Sequence, residues 1–173
     1  LKDLARNNPK INLVNLTQNL NFFRGKKFPL SMGIKSAKYD LLLLTDADCV
    51  PNSNQWIRGM IGTYNNNTEI VVGYGPYFER KGLLNKLIRF DTLYIAMQYI
   101  SLALAQKPYM GVGRNLSYRK STFMNNKGFT SHYNIPSGDD DLFISQVANK
   151  HNTDIFIDSK IRVESEPKRT WGT

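Results

Sequence analysis

Apolar and polar positions alternate along the chain in a pattern that predicts short strands separated by helices. Leu41 to Leu44 is a continuous apolar run, as expected for a strand that is buried on both faces of a sheet. Residues 25–37 carry apolar side chains at helical spacing, and the order of helix and strand recurs afterwards. We therefore predict an α/β fold in which helices flank a sheet. The predicted strands are residues 11–16, 41–44, 69–74, 115–118, 153–157 and 160–163, with a polar turn over 17–21, and the predicted helices are residues 1–7, 25–37, 55–64, 83–105, 120–126 and 142–148.

The segment from Leu83 to Ala105 has the longest apolar periodicity, interrupted by Lys86, Arg89 and Asp91. Its least charged stretch, Leu93 to Ala105, is shorter than the roughly 18 to 20 residues that a membrane-spanning helix needs. We interpret the segment as a helix packed on the core. The alternative is that its apolar face meets a membrane surface in the full-length protein.

The composition of the 173 residues fits one domain, since 41% of them are hydrophobic. An excess of 23 Lys and Arg over 14 Asp and Glu gives a net charge of +9, which attracts phosphates, anionic lipids or nucleic acids. No zinc-binding pattern, RNP-type motif or dense basic helix is present, so we expect no nucleic-acid partner. The single cysteine, Cys49, excludes an internal disulfide and favours cytoplasmic surroundings.

Two aspartates, Asp46 and Asp48, follow the predicted strand that ends at Leu44. Ligands of open α/β sheets bind outside the carboxyl ends of the strands, and Mg²⁺ or Mn²⁺ commonly joins protein carboxylates to substrate phosphates. This placement favours a metal site. The alternative is that the two aspartates only end the strand and cap the next turn.

Three adjacent aspartates, Asp139, Asp140 and Asp141, follow Gly138 just before a predicted helix. A helix N-terminus stabilises carboxylates, so one of the three can be a simple cap. Crowding by like charges also raises the pKa of a carboxyl group toward the range in which it can accept a proton from a hydroxyl group. The cluster alone fits either role, and its combination with Asp46 and Asp48 favours a catalytic one.

Together these residues resemble the inverting glycosyltransferases of the GT-A fold, the family 2 group that includes cellulose synthase, hyaluronan synthase and many bacterial polysaccharide glycosyltransferases. The resemblance extends over essentially the whole chain. Its first part is a helix with small residues, Ser31 to Ala37, followed by the strand and the Asp-x-Asp motif. Its later parts are Gly113 to Lys120, the step Lys127 to Phe129, and the acidic pair Asp139 and Asp140.

The resemblance implies a Rossmann-like GT-A domain with a mostly parallel sheet, in which residues 1–75 hold the metal and the donor diphosphate and residues 76–173 hold the acceptor and the base. Asp46 and Asp48 would bind the diphosphate through Mn²⁺ or Mg²⁺. Asp140 would be the base, with Asp141 as the alternative and Asp139 beside them. The donor would be a nucleotide-diphosphate sugar, most often a UDP-sugar in this group. The acceptor would be a saccharide or lipid-linked hydroxyl, in the synthesis of cell-surface polysaccharide or glycoconjugate.

Parts of the family pattern are expected outside this sequence. The opening strand and helix, which carry the first nucleotide-contacting carboxylate, would precede Leu1. Many processive relatives have a Gln-x-x-Arg-Trp motif after the base, and the sequence ends just after Trp171 without one. We therefore expect a segment of a longer protein, truncated at both ends, that works on the cytoplasmic side and receives any membrane attachment from other segments.

Two rival functions fit part of the pattern. A haloacid-dehalogenase-like, Mg²⁺-dependent phosphatase also has an apolar strand before Asp-x-Asp and a later acidic pair, but its first motif normally ends the opening strand. Its later pair normally ends an apolar strand, whereas residues 134–137 precede the pair here. A non-catalytic basic binding module would bind polyanions in a strongly salt-dependent manner without needing Asp46, Asp48 or Asp140.

Two groups of side chains are weaker candidates for substrate contact. The basic residues that could contact donor phosphates or an anionic acceptor are Arg114, Arg119, Lys120 and Arg169, but scattered basic residues usually lie on solvated faces. The aromatic residues that could stack on a sugar ring are Tyr74, Tyr77, Phe78, Tyr109 and Tyr118, although aromatic side chains next to strands more often belong to the core.

Overall fold

The computed structural model describes residues 2–16, 25–132, 135 and 138–171. The predicted turn over residues 17–21 lies outside them. Most observed elements lie within two residues of their predicted bounds. The helices are α1 (Lys2–Asn7), α2 (Lys27–Ser36), α3 (Trp56–Gly62), α4 (Leu83–Leu104), α5 (Lys120–Asn125) and α6 (Asp139–Val147); the strands are β1 (Leu41–Leu44), β2 (Cys49–Pro51), β3 (Ile70–Gly73), β4 (Leu116–Arg119), β5 (Thr153–Phe156) and β6 (Val163–Ser165); short 3-10 helices cover Gly113–Asn115 and Thr130–His132.

Four strands form the central sheet in the order β1-β4-β3-β5. Strand β4 pairs antiparallel with both β1 and β3, and β3 pairs parallel with β5. The α/β class is confirmed, but the expectation of a mostly parallel sheet is wrong for these strands. The chain enters β4 directly from the Gly113–Asn115 turn, so β4 runs opposite to the two strands between which it is inserted.

The central strand β3 separates two hydrophobic clusters because its side chains alternate between the faces of the sheet. Ile70 and Val72 lie on one face, in a cluster that includes α6, whereas Val71 lies on the other face with Trp56 and Met60 of α3. All three β3 side chains are buried. The sheet is therefore covered on both sides, as an α/β fold requires.

Helix α6 is held on the first face by aromatic packing. The Phe143 ring lies 5.2 Å from the Tyr118 ring, 5.4 Å from the Phe123 ring and 5.9 Å from the Phe129 ring, measured between centroids. Side chains of this size dominate core energetics and favour tilted or edge-to-face arrangements. The cluster fixes the rotation of α6 about its own axis, and thereby the direction of its first turn.

A second, two-stranded sheet lies beside the first. Strand β2 pairs antiparallel with β6, with Cys49 opposite Ser165 and Pro51 opposite Val163. The sequence pattern did not predict β2, since Pro51 lacks an amide hydrogen and is tolerated only at such an edge. Strand β6 begins at Val163, where the predicted strand ended, because its register is set by pairing with β2.

Two further predictions are corrected. Residues 11–16 form no strand, since no described strand lies beside them to pair with their backbone, and Ile11, Val14 and Leu16 stay between 38% and 40% exposed. Helix α6 begins at Asp139 rather than Leu142, immediately after Gly138 in the left-handed conformation with φ 77°. The acidic residues therefore form the first helical turn, where the helix dipole stabilises them.

Helix α4 is apolar on both sides. Its inner side buries Asn85, Ala96 and Tyr99, which confirms packing on the core. Its outer side exposes an apolar row that includes Phe90 and Met97, 67% and 55% exposed. No helix in the described part of the chain is long and apolar enough to cross a membrane.

The buried side chain of Asn115 connects helix α3 to the segment that follows β3. Its Oδ1 accepts a hydrogen bond from the Trp56 indole at 2.9 Å, and its Nδ2 donates to the Tyr74 carbonyl at 3.0 Å. Asn115→Ala leaves both partners unpaired, and each buried unpaired group costs roughly 1–3 kcal/mol. We expect the melting temperature of the full-length protein to fall by about 5–10 °C.

Thermal unfolding followed by circular dichroism measures the effect. Asn66→Ala is the matched control, because Asn66 is exposed and its side chain has no hydrogen bond among the described residues. Equal melting temperatures for Asn115→Ala and the control would contradict a structural role for this bridge.

Candidate active site

A pocket of about 700 Å³ lies where α2, α4, α6 and the Gly113–Asn115 turn meet. Its walls carry side chains of both charges. Carboxylates come from the first turn of α6 and from Asp91, and cationic groups come from Lys26, Arg114 and Lys168. Tyr74 and Tyr77 also line it, so these two aromatic residues face the pocket rather than only the core.

Asp46 and Asp48 lie in the turn that connects β1 to β2. The Cys49 amide donates to the Asp46 carbonyl at 3.1 Å, which closes the turn. Ligand atoms of Asp46, Asp48 and Cys49 all lie within 4.8 Å of one another. Two carboxylates beside substrate phosphates are the ligands that Mg²⁺ and Mn²⁺ prefer, so this donor set fits the expected cation. The ammonium group of Lys26, which lines the pocket, lies 3.4 Å from Asp46 Oδ1.

The three aspartates of α6 occupy different surroundings. Burial, together with the charges of Asp139, Asp141 and Asp46, raises the pKa of the Asp140 carboxyl group to about 6, and the Gly113 amide opposes that rise. Burial also raises the pKa of Asp141. A pKa near neutrality suits a group that must accept a proton at physiological pH. The effect of Asp46 on Asp140 means that the two acidic sites lie close enough to interact.

Asp139 differs from its neighbours because it is paired. Lys27 Nζ lies 3.1 Å from Asp139 Oδ1, and the two side chains are only 3% and 12% exposed. Lys27 also donates to the Ile135 carbonyl. The sequence analysis did not single out this lysine. An adjacent pair of lysines, Lys26 and Lys27, was visible at the start of α2, but only the fold turns one outward and the other inward.

Gly113 and Arg114 contribute more to the site than the sequence pattern indicated. A Cβ atom at Gly113 would clash with the carboxylate of Asp140, so the base candidate lies directly against this turn. Arg114 lies in the pocket, with its guanidinium carbon 4.4 Å from the Tyr77 ring centroid. Its Nη1 is buried and has no hydrogen-bond partner in the part of the chain that the structure describes. Such a donor is available for a bound anion.

Comparison with known proteins agrees with this geometry. Residues 1–127 match the model of the family described as Glycosyl transferase family 2. A search of curated protein sequences returns no match.

Among solved structures, the fold is similar to that of mannosyltransferase PcManGT from Pyrobaculum calidifontis in complex with GDP-Man and Mn²⁺, with a TM-score of 0.66 and 16% identity. The likeness covers 98% of this chain and 44% of that one, so this chain spans less than half of its length. It confirms the predicted GT-A fold. With the family match over most of its length, the chain belongs to glycosyl transferase family 2.

Proposed function

We propose that this chain forms part of the catalytic domain of an inverting glycosyltransferase, which moves a sugar from a nucleotide-diphosphate sugar to an acceptor hydroxyl group. The observation that carries the proposal is that the two acidic sites lie side by side: Lys26, which lines the pocket together with the aspartates of α6, lies 3.4 Å from Asp46, and the charge of Asp46 adds to the rise in the pKa of Asp140 that burial causes first. Residues 1–75 would hold the donor diphosphate and metal, and residues 76–173 would supply the acceptor site and base. The family match also favours transfer over the phosphatase and binding-module alternatives.

Asp140 is the proposed base. It accepts the proton of the acceptor hydroxyl group while the oxygen attacks the anomeric carbon on the side opposite the diphosphate. The bond between the anomeric carbon and the diphosphate oxygen breaks, and the nucleoside diphosphate leaves. One displacement of this kind inverts the anomeric configuration. Asp141 remains the alternative base, whereas the ion pair with Lys27 makes Asp139 the least available of the three.

Asp46 and Asp48 would hold the divalent cation, Mn²⁺ or Mg²⁺. A bound cation supplies neutralisation of the negative charge on the departing diphosphate. Lys26 beside Asp46, and the unpaired Nη1 of Arg114, are cationic groups placed to contact phosphate oxygens. Their positions support a donor that carries phosphates.

The donor and acceptor are proposed by class. A UDP-sugar is our first choice of donor, and GDP-mannose is the second because the similar structure holds GDP-Man with Mn²⁺. A saccharide or lipid-linked hydroxyl is the proposed acceptor, for polysaccharide or glycoconjugate synthesis. The lipid-linked form is supported by α4, which lines the pocket on its inner side and exposes an apolar row on its outer side.

The first test is release of nucleoside diphosphate from a panel of nucleotide sugars by the full-length protein, with Mn²⁺ or EDTA and with acceptor extracts. We expect metal-dependent release from one donor. Asp48→Ala should lower the rate roughly hundredfold or more, because the cation loses a ligand. Asp140→Asn should lower it roughly 10²- to 10⁴-fold, because no base remains.

Asp3→Asn is the control, since Asp3 is an exposed carboxylate on α1 that does not line the pocket. No release from any donor would contradict the transferase proposal, and hydrolysis of p-nitrophenyl phosphate would favour the phosphatase. NMR of the product distinguishes the mechanisms, because a retained anomeric configuration would exclude the single displacement.

A second prediction concerns pH. Since the base must be ionised and the pKa of Asp140 is raised to about 6, kcat/KM should fall as the pH drops through that value, roughly tenfold per pH unit below it. Initial rates at constant ionic strength measure this acidic limb. A profile that stays flat down to about pH 4.5 would assign the proton transfer to a carboxyl group with an ordinary pKa.

A third prediction tests the placement of Asp140 against the Gly113 turn. Gly113→Ala introduces a methyl group where the carboxylate lies, and displacing a catalytic group by about 1 Å can lower turnover roughly hundredfold. We expect that loss in kcat with a nearly unchanged KM for the donor. Gly62→Ala is the control, because a Cβ there meets no atom within 4 Å. Equal turnover for the two variants would place the base elsewhere.

A further inference from the structure

Lys27 is a buried cation beside the candidate active site, in contact with an aspartate that lines the pocket. It is the first residue of α2, and only 3% of its side chain is exposed. Asp139 is the only carboxylate that the described residues bring within ion-pair distance of it. The preceding residue, Lys26, is 80% exposed and lies beside Asp46 instead. Two adjacent lysines therefore each pair with a carboxylate of a different acidic site.

A buried ammonium group is retained only when a partner compensates for its lost hydration. Lys27 has two such partners, the Asp139 carboxylate and the Ile135 carbonyl. Both lie in or just before the first turn of α6. The pair is therefore a specific link between the helix that leads into β1 and Asp46 and the helix that carries the base.

The ion pair between Lys27 and Asp139 makes the three adjacent aspartates of α6 differ from one another. Adjacent buried carboxylates compete for one proton, and the titration then belongs to the group rather than to one residue. The Lys27 ammonium lies 3.1 Å from Asp139 Oδ1 and places an opposite charge beside that residue alone among the three aspartates of α6. Asp140, which has no such partner, lies against Gly113 inside the pocket and is left to exchange the proton.

We propose that Lys27 is a positioning residue that makes Asp140 the base by holding Asp139 in a buried ion pair. The inference rests on the proposed glycosyl transfer and deepens it. Lys27 need not touch substrate, since it acts through Asp139. Among the described residues, the other charged or titratable groups that face Asp140 from the surrounding elements are Asp46, Asp141, Tyr118 and, along the pocket wall, Lys26, Tyr74, Tyr77, Asp91, Tyr99, Arg114 and Lys168.

The test uses the full-length protein with Lys27→Met, Asp139→Asn and the double variant, at saturating Mn²⁺. Lys27→Met removes a positive charge beside the cluster, so the acidic limb of kcat/KM should move to higher pH. Asp139→Asn removes a negative charge, so the limb should move to lower pH. Each shift should be roughly 0.5 to 1 pH unit. The double variant carries neither charge, and its limb should return close to that of the wild type.

A purely structural role predicts a different result. Both single variants would then lose activity in proportion to lost stability, and the limb would not move; that outcome overturns the proposal. Shifts of the same sign in the two single variants would also overturn it. Lys35→Met is the control, since Lys35 is an exposed lysine on the same helix and its replacement should leave rate and limb unchanged.

If Lys27→Met does not fold, Asp139→Asn and the double variant still test the proposal. Asp139→Asn must then move the limb to lower pH, and adding Lys27→Met to it must restore the limb. Failure of the proposed function is recognised separately, because the wild type would then release no nucleoside diphosphate. In that case the double variant should still unfold at a higher temperature than either single variant, as expected for a buried pair. A double variant less stable than both would overturn the ion pair itself.

Discussion

Repulsion between aspartates is the constraint around which this structure is arranged. Asp46 and Asp48 at the end of β1 lie close to the three aspartates of α6, and burial, together with the charges of Asp139, Asp141 and Asp46, raises the pKa of Asp140. The fold places positive charge beside some of these aspartates and not beside others. Lys26 lies by Asp46, the Lys27 ammonium lies 3.1 Å from Asp139, and the N-terminus of α6 stabilises its first turn. Asp140 has no cation within ion-pair distance among the described residues, and its pKa is raised to about 6.

Such a concentration of charge requires a rigid scaffold. The aromatic cluster around Phe143 fixes the rotation of α6, and Asn115 ties the turn containing Gly113 to α3 and to the segment after β3. The base candidate is therefore packed between two elements that are each anchored in the core. The polar face of the pocket is arranged by hydrophobic packing beneath it, which explains why Tyr118 and Phe143 influence the site without entering it.

The sequence was sufficient for much of the fold and for the position of Asp46 and Asp48 directly after a strand, because a four-residue apolar run has a strong local signature. The sequence was insufficient where a feature depends on contacts between residues that are far apart in the chain. The four residues of β4 do not reveal its direction, which pairing with β1 and β3 decides. Residues 11–16 have a strand-like pattern but no described partner. Lys27 has the same local appearance as Lys26, and Gly113 matters only because α6 returns to lie against it.

The small sheet of β2 and β6 connects distant parts of the chain. Cys49, which directly follows the Asp46 to Asp48 turn, lies opposite Ser165, and their side chains are 3.0 Å apart from sulfur to oxygen. The family match ends at residue 127, well before this strand. The residues that match the family and the residues that hold the site in place therefore differ. The turn that carries the two aspartates is supported by a strand outside the match, and a substitution in β2 or β6 must be compatible with the other strand.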